Sequence, residues 1–200
     1  MSHRAPAIIC AVRNHGENGA IVRVLTAEYG LVAGYVSGGR SRIMRPILIP
    51  ANGVAAAWRV RGGAQLAAMT AELVHSRAPL LAEPLAASGL DWVTALTAAT
   101  LPEEHPYPAI YAGLNGVLCA IDAAPSARGW AAGLIRYEVL ILSALGYGGA
   151  LPAISTAWPD ILARLDQSGR RLAEHLFADA HKDVMAARGR LIDRLKRAVA

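Results

Sequence analysis

Ten residues, SGGRSRIMRP at 37–46, hold two glycines and three arginines, Arg40, Arg42 and Arg45. Guanidinium forks grip phosphate bidentately without reading a base. Gly38 and Gly39 let the backbone turn tightly and adopt positive φ around such a group. Three uses fit that composition: an anion-cradling turn, a nucleic-acid contact, or a plain solvated hairpin. The stretch lacks GxxxxGK[ST], so a nucleotide-binding P-loop is unsupported.

Arg13, Arg23, Arg59 and Arg61 lie in or beside predicted strands. Arg59 and Arg61 are two apart and so share a sheet face. They can extend a basic track, with Tyr35 or Trp58 as a stacking platform. Trp58 points away from the face of Arg59, which favours a core position, whereas Tyr35 suits either role. His15, within RNHGENG, is a turn histidine that either contacts a ligand or is simply solvated. Glu17 in the same turn reads as a turn or pairing residue. Near the carboxyl end Arg190, Arg194 and Arg197 line one helix face as a secondary basic stripe. The alternative there is a solvated face whose cations complement the helix dipole.

Other chemistry finds little to work with. Glu103–Glu104–His105 in PEEHP is the one cluster of acids with a histidine. Adjacent residues between prolines do not converge on one ion, and no further ligands stand at suitable spacing. His175 and His181 are six apart, on different helix faces. No GxSxG surrounds Ser143 or Ser155. Cys10 and Cys119 are the only cysteines, which excludes a disulfide scaffold or a CxxC zinc site and suggests a reducing cytoplasm. The expectation is no enzyme, no metal and no cofactor.

The elements that must position the arginines follow from patterning. Two hundred residues, 54% hydrophobic, are ample for a real core. The uncharged stretch Val139–Trp158 is interrupted by Gly146, Gly148, Gly149 and Pro152, and the amino terminus lacks a signal-peptide pattern, so a soluble protein is expected. Net charge is +5, unevenly spread: residues 1–77 hold nine arginines against three acids, residues 78–154 two against six, and residues 155–200 nine basic residues against six. The basic front is the part that attracts a polyanion. That front also reads as strands: AIICAV, AIVRVLT, YGLVAGYVSG, GVAAAWRVRG and AQLAAMTAELVHS alternate and are separated by Gly/Asn turns, as in a small twisted barrel. From about Pro79 the period becomes helical. Ile110, Leu114, Val117, Leu118 and Ile121 mark one helix, and ARGWAAGLIRYEVLILSALGYGG a central one. Ala187, Leu191, Leu195 and Val199 mark a terminal helix.

Three stretches in this order resemble the bacterial recombination mediator family RecO: GENGAIVRVLTAEYGLVAGYVSGGRSR, IRYEVLILSALGYG, and RLAEHLF with the basic helix after it. The resemblance implies an α+β chain, an OB-fold β-barrel at 1–77 followed by an α-helical domain at 78–200. It implies binding of single- and double-stranded DNA, annealing of complementary strands, partnership with RecR and with single-stranded-DNA-binding protein, and, indirectly, loading of RecA in gap repair. A cytoplasmic, nucleoid-associated location follows. Many family members carry a cysteine-bearing insertion after LGYG, a zinc module in some. Here GYGGALPAISTAW runs on without it, shortened at about 150–155, so zinc binding does not carry over. That loss keeps a second reading open, a platform for RecR or single-stranded-DNA-binding protein with little DNA affinity of its own.

Overall fold

The computed structural model describes residues 2–59, 66–124, 126–148, 157–178 and 182–199. Arg61, Ser155, His181 and the shortened segment at 150–155 lie outside the described residues. The chain is α+β and divides into two compact units. The first holds the chain up to Ala82 together with Leu101–Tyr111, and the second holds Glu83–Thr100 and the chain from Ala112 on.

The first unit is built from β1 (Ser2–His15), β2 (Gly19–Thr26), β3 (Gly30–Val36), β4 (Gly53–Arg59) and β5 (Ala67–His75). Strict alternation decides its inside. Val22 and Val24 of β2, Val32 and Val36 of β3, Val54, Ala56 and Trp58 of β4, and Ala67, Met69 and Ala71 of β5 form one apolar core. β1 is long enough to serve two neighbours. Its first half pairs antiparallel with β4 and its second half with β2, and a bulge between Ile9 and Ala11 bends it between them. The order is therefore β1-β2-β3-β5-β4, with β4 returning to β1. Among the described residues the parallel β3–β5 seam is joined at Gly34–Ala67 and Tyr35–Ala68 alone, so the five strands curl into a partly open barrel of the OB type. Trp58 is 5% exposed and belongs to the core, as its parity suggested.

PEEHP has a structural task. Glu104 donates its backbone N–H to the Leu31 carbonyl at 2.9 Å, and Glu103 bridges Leu31 in parallel. Gly30, at φ +69°, lets the His105 carbonyl approach to where a Cβ would stand, 1.9 Å from that oxygen. The segment lies along the edge of β3 at Leu31, ahead of the stretch that pairs with β5.

The second unit contains α1 (Pro84–Thr100), α2 (Pro108–Ala123, whose first residues belong to the first unit), α3 (Ala131–Ala144), α4 (Trp158–His175) and α5 (Lys182–Val199). Pro108 opens α2 where the missing N–H costs nothing, and Gly146 at φ +90° follows the end of α3. Leu191 and Leu195 are fully buried, as their spacing required. α4 was not singled out in the sequence as an element of its own. It starts with Pro159 in its first turn and buries Ile161, Leu165 and Leu172 along one stripe. Among the described residues no helix is long and apolar enough to cross a membrane.

The middle of this unit is polar. Arg188 of α5 donates Nε to Glu138 Oε1 at 2.9 Å and Nη2 to Oε2 at 3.0 Å. Trp92 Nε1 of α1 donates to the same carboxylate at 2.8 Å, and the Ser168 hydroxyl of α4 donates to it as well. Four helices thus meet on one buried carboxylate whose oxygens are all satisfied.

Candidate nucleic-acid interface

Strand register collects the basic residues. Arg13 of β1 pairs with Ile21 of β2, which pairs with Tyr35 of β3. Tyr35 pairs with Ala68 of β5, which pairs with Arg59 of β4, and Arg59 with Ser2. All six point outward, because their neighbours at odd separation fill the core. Arg13, Tyr35 and Arg59 therefore share one cross-strand row on the outer surface, although 46 positions separate Arg13 from Arg59 in sequence. The row returns to β1 at Ser2 instead of Arg13, the stagger that closing five strands requires.

Tyr35 sits at the middle of this row. Its ring lies over Gly19, where a Cβ would come within 2.3 Å, and it meets the His15 ring edge-on at 6.0 Å between centroids. Beside it opens a cleft of about 600 Å³ lined by Tyr35, Ser37, Trp58, Arg59, Met69 and Thr70 among others. An aromatic face, two hydroxyls and a guanidinium on one rim suit stacked bases next to a phosphate.

The loop that joins β3 to β4 stands against the β1–β2 turn. Gly38 takes φ +66°, and Gly39 is buried where a Cβ would press on Ala20. Arg40 donates its backbone N–H to the Asn18 carbonyl at 3.2 Å and its guanidinium to the Glu17 carbonyl at 2.8 Å. Arg45 Nε donates to the Arg40 carbonyl at 2.9 Å. Each fork keeps further N–H groups for a ligand, since a guanidinium has about five donors. Arg42, Arg13 and Arg59 are exposed and, among the described residues, have no side-chain hydrogen-bond or ion-pair partner. Arg23 faces outward too, but its Nη2 meets Glu103 Oε1 at 2.9 Å, which neutralises it locally. Glu17 contributes its carbonyl as a pairing group.

A residue that belongs to no motif holds the loop's base. Asn52, fully buried, donates Nδ2 to the carbonyls of Pro46 and Ile47 at 3.1 and 3.0 Å and accepts the Arg77 backbone N–H at 2.8 Å. Arg77 in turn donates Nη1 to the carbonyl of Ala51, which stands at φ +74°. A buried amide bonded to two successive carbonyls fixes where the arginines emerge.

Comparison with known proteins agrees with this architecture. Residues 1–77 match the family model "Recombination protein O N terminal" and residues 82–151 match "Recombination protein O C terminal". The chain belongs to the RecO family. It is 39% identical to the DNA repair protein RecO of Gluconacetobacter diazotrophicus over 76% of this chain and 61% of that one. It is 32% identical to those of Rhodospirillum centenum, over 96% and 94% of the two chains, and of Jannaschia sp., over 100% and 98%. Those two alignments run over 238 and 243 positions, more than the 200 residues here, so both relatives contain stretches without a counterpart in this chain. With respect to the Gluconacetobacter protein, the chain spans less than two thirds of its relative's length.

In this RecO-family chain the carboxyl-terminal arginines are placed differently from those of the barrel. Arg190 Nη2 reaches Asp91 at 3.4 Å, Arg197 Nε donates to the Asp193 carbonyl at 3.2 Å, and Arg194 is half-buried. Of the stripe, two members are thus engaged by acids or carbonyls of their own unit. Arg188, two residues before it, is the buried member that spacing alone did not reveal. Its signal was Glu138, a lone acid inside the apolar run YEVLILSAL, which burial obliges to find a cation.

Proposed function

We propose that this chain is a DNA-binding recombination mediator that holds single strands by their backbones, anneals complementary ones, and acts without covalent catalysis. One observation carries the reading: the loop bearing Arg40, Arg42 and Arg45 packs on the turn that follows His15, the His15 ring meets Tyr35, and Tyr35 shares its cleft with Arg59. Guanidinium groups there screen phosphate repulsion between two strands while the bases stay free to pair. Holding both strands near one positive surface raises their local concentration. Arg61 would extend the track beyond Arg59. The RecO relationship supports a role in DNA repair, with RecR and single-stranded-DNA-binding protein as partners, RecA loading as the outcome, and action in the cytoplasm at the nucleoid. The stretches present in the relatives and missing here fit a lost lobe near 150–155, where the carboxyl-terminal family match also stops.

The test is annealing of complementary oligonucleotides and single-strand affinity across a salt series, with Arg40→Ala/Arg42→Ala/Arg45→Ala as comparison. The expected result is a steep salt dependence for the parent, and for the variant a slope smaller by about 2, at roughly 0.7 per released counterion. Weak binding that the variant leaves unchanged would favour the other reading, a platform that recruits partners and grips little DNA itself.

A further inference from the structure

The loop that carries the arginines also carries an apolar residue where none is needed for folding. Its hydrophobic residues divide in two. Met44 and Ile47 pack against the barrel core, and Leu48 is 6% exposed within it. Ile43, between Arg42 and Met44, is 77% exposed, the most exposed of the large apolar side chains of the chain's described residues.

Its position is fixed and not the accident of a loose loop. Ser41 donates its backbone N–H to the Gly38 carbonyl at 2.8 Å, and the Ser41 hydroxyl accepts the Met44 N–H at 3.2 Å. Arg45 closes the turn with its backbone N–H on the Ser41 carbonyl at 3.0 Å. Ile43 is thus held at the tip of a hydrogen-bonded turn, its β-branched side chain stiff at χ1, with guanidinium-bearing residues on both sides. Leaving it in water forgoes the burial that its neighbours obtain.

The geometry points to Ile43 as an apolar wedge that packs on the bases of a single strand whose phosphates the flanking arginines hold. The ligand matching this tip is a polyanion with accessible apolar faces, and an unpaired nucleic-acid strand is one. A duplex hides those faces in its stack, so the residue gives the loop a preference that arginine–phosphate contacts cannot supply. An anionic lipid surface has the same two features, but one aliphatic side chain inserts too little area to hold a protein there. This inference rests on the interface proposed above and adds which form of DNA it prefers.

The experiment measures binding of the full chain to a single strand carrying a fluorescent base analogue, to the matching duplex, and to phosphatidylserine vesicles, each across a salt series. Wild type is compared with Ile43→Ser and Ile43→Leu, both at a surface position where folding is unaffected. The expected result is roughly five- to tenfold weaker single-strand binding by Ile43→Ser at an unchanged salt slope. The analogue's fluorescence change is lost with it, duplex affinity is kept, and Ile43→Leu behaves as wild type. Equal weakening on strand and duplex, or none, overturns the wedge while leaving the backbone grip in place. Vesicle binding that Ile43→Ser abolishes, with DNA binding intact, replaces it with a lipid contact. Wild-type protein without salt-dependent DNA binding removes the interface itself and the wedge along with it.

Discussion

Arg42 and Arg188 are the same residue type put to opposite uses. Arg42 stands exposed at a turn of the barrel unit, its side chain without a hydrogen-bond or ion-pair partner among the described residues. In the helical unit Arg188 has a side chain only 8% exposed, spread over the Trp92 ring at 5.8 Å and forked onto Glu138. An exposed, unpaired guanidinium adds little to stability and is available to a ligand. A buried one is committed: it cost desolvation to place, and removing its partner would strand it. Local surroundings, and not the residue, decide between recognition and architecture.

The largest effect expected from this contrast comes from splitting the buried pair. Glu138→Ala strands the buried Arg188 charge and Trp92 Nε1, with only the Leu165 carbonyl left to accept from Arg188 and Ser168, and should cost about 3–5 kcal/mol in urea unfolding. Arg42→Ala should stay within about 0.5 kcal/mol of wild type. A double replacement, Glu138→Leu with Arg188→Met, should recover part of the loss, because it strands no buried charge and leaves only the neutral Trp92 Nε1 short of an acceptor. If Glu138→Ala melted like Arg42→Ala, the contrast between the two arginines would be void.

A smaller effect tests how tightly Arg188 is held. Gly169 of α4 lies so near it that a Cβ would stand 2.2 Å from Nη1 and 2.7 Å from Cζ. A free arginine would swing aside at little cost. This one is anchored through Nε and Nη2 to Glu138, so Gly169→Ala must either break that fork or shift α4, at about 1–3 kcal/mol despite alanine's better helix propensity. Stabilisation by Gly169→Ala would mean that Arg188 moves freely and the fork is weak.

The contrast also separates what the sequence could tell from what it could not. The strands were legible because Val, Met and Trp alternate with small or polar residues, and the parity of Trp58 against Arg59 placed one inside and the other out. The terminal helix was legible from Ala187, Leu191 and Leu195. The shared row of Arg13, Tyr35 and Arg59 was not, since it depends on a bulge in β1 and on the register of a parallel seam between β3 and β5. Neither leaves a mark on local periodicity. Arg23 looked like any other strand arginine, and only the fold brings Glu103, eighty residues on, against it. Arg188 escaped notice because arginine is seldom buried, although the residues one turn away, Val184, Met185, Leu191 and Ile192, are all apolar. The apolar setting of Glu138 did announce a buried cation, without saying which one.

Arg23 falls between the two extremes, with its side chain 31% exposed and paired to a Glu103 that is 47% exposed. Arg23→Gln should therefore cost no more than about 1 kcal/mol at neutral pH, the range for a solvent-screened pair. Its second neighbour gives the residue a pH signature. Cys10, at the bulge of β1, is buried, and that burial pushes its thiol up to about 12, against a partial opposing pull from the Leu25 backbone and the Arg23 charge. A thiol raised in the folded state from an ordinary 9 favours the fold fully below pH 9 and loses that contribution as pH climbs towards 12. The penalty reaches roughly 1 kcal/mol by pH 10. Removing Arg23 takes away a cation that favours the thiolate, so the thiol rises further and alkaline destabilisation persists to higher pH. Urea midpoints of wild type, Arg23→Gln and Cys10→Ala between pH 7 and 11 read this directly. Cys10→Ala should lose the thiol's share of the alkaline decline, and Arg23→Gln should retain it. A Cys10→Ala profile parallel to wild type would show that the thiol is not the titrating group, and Arg23 would then count, for stability, with the exposed arginines of the barrel.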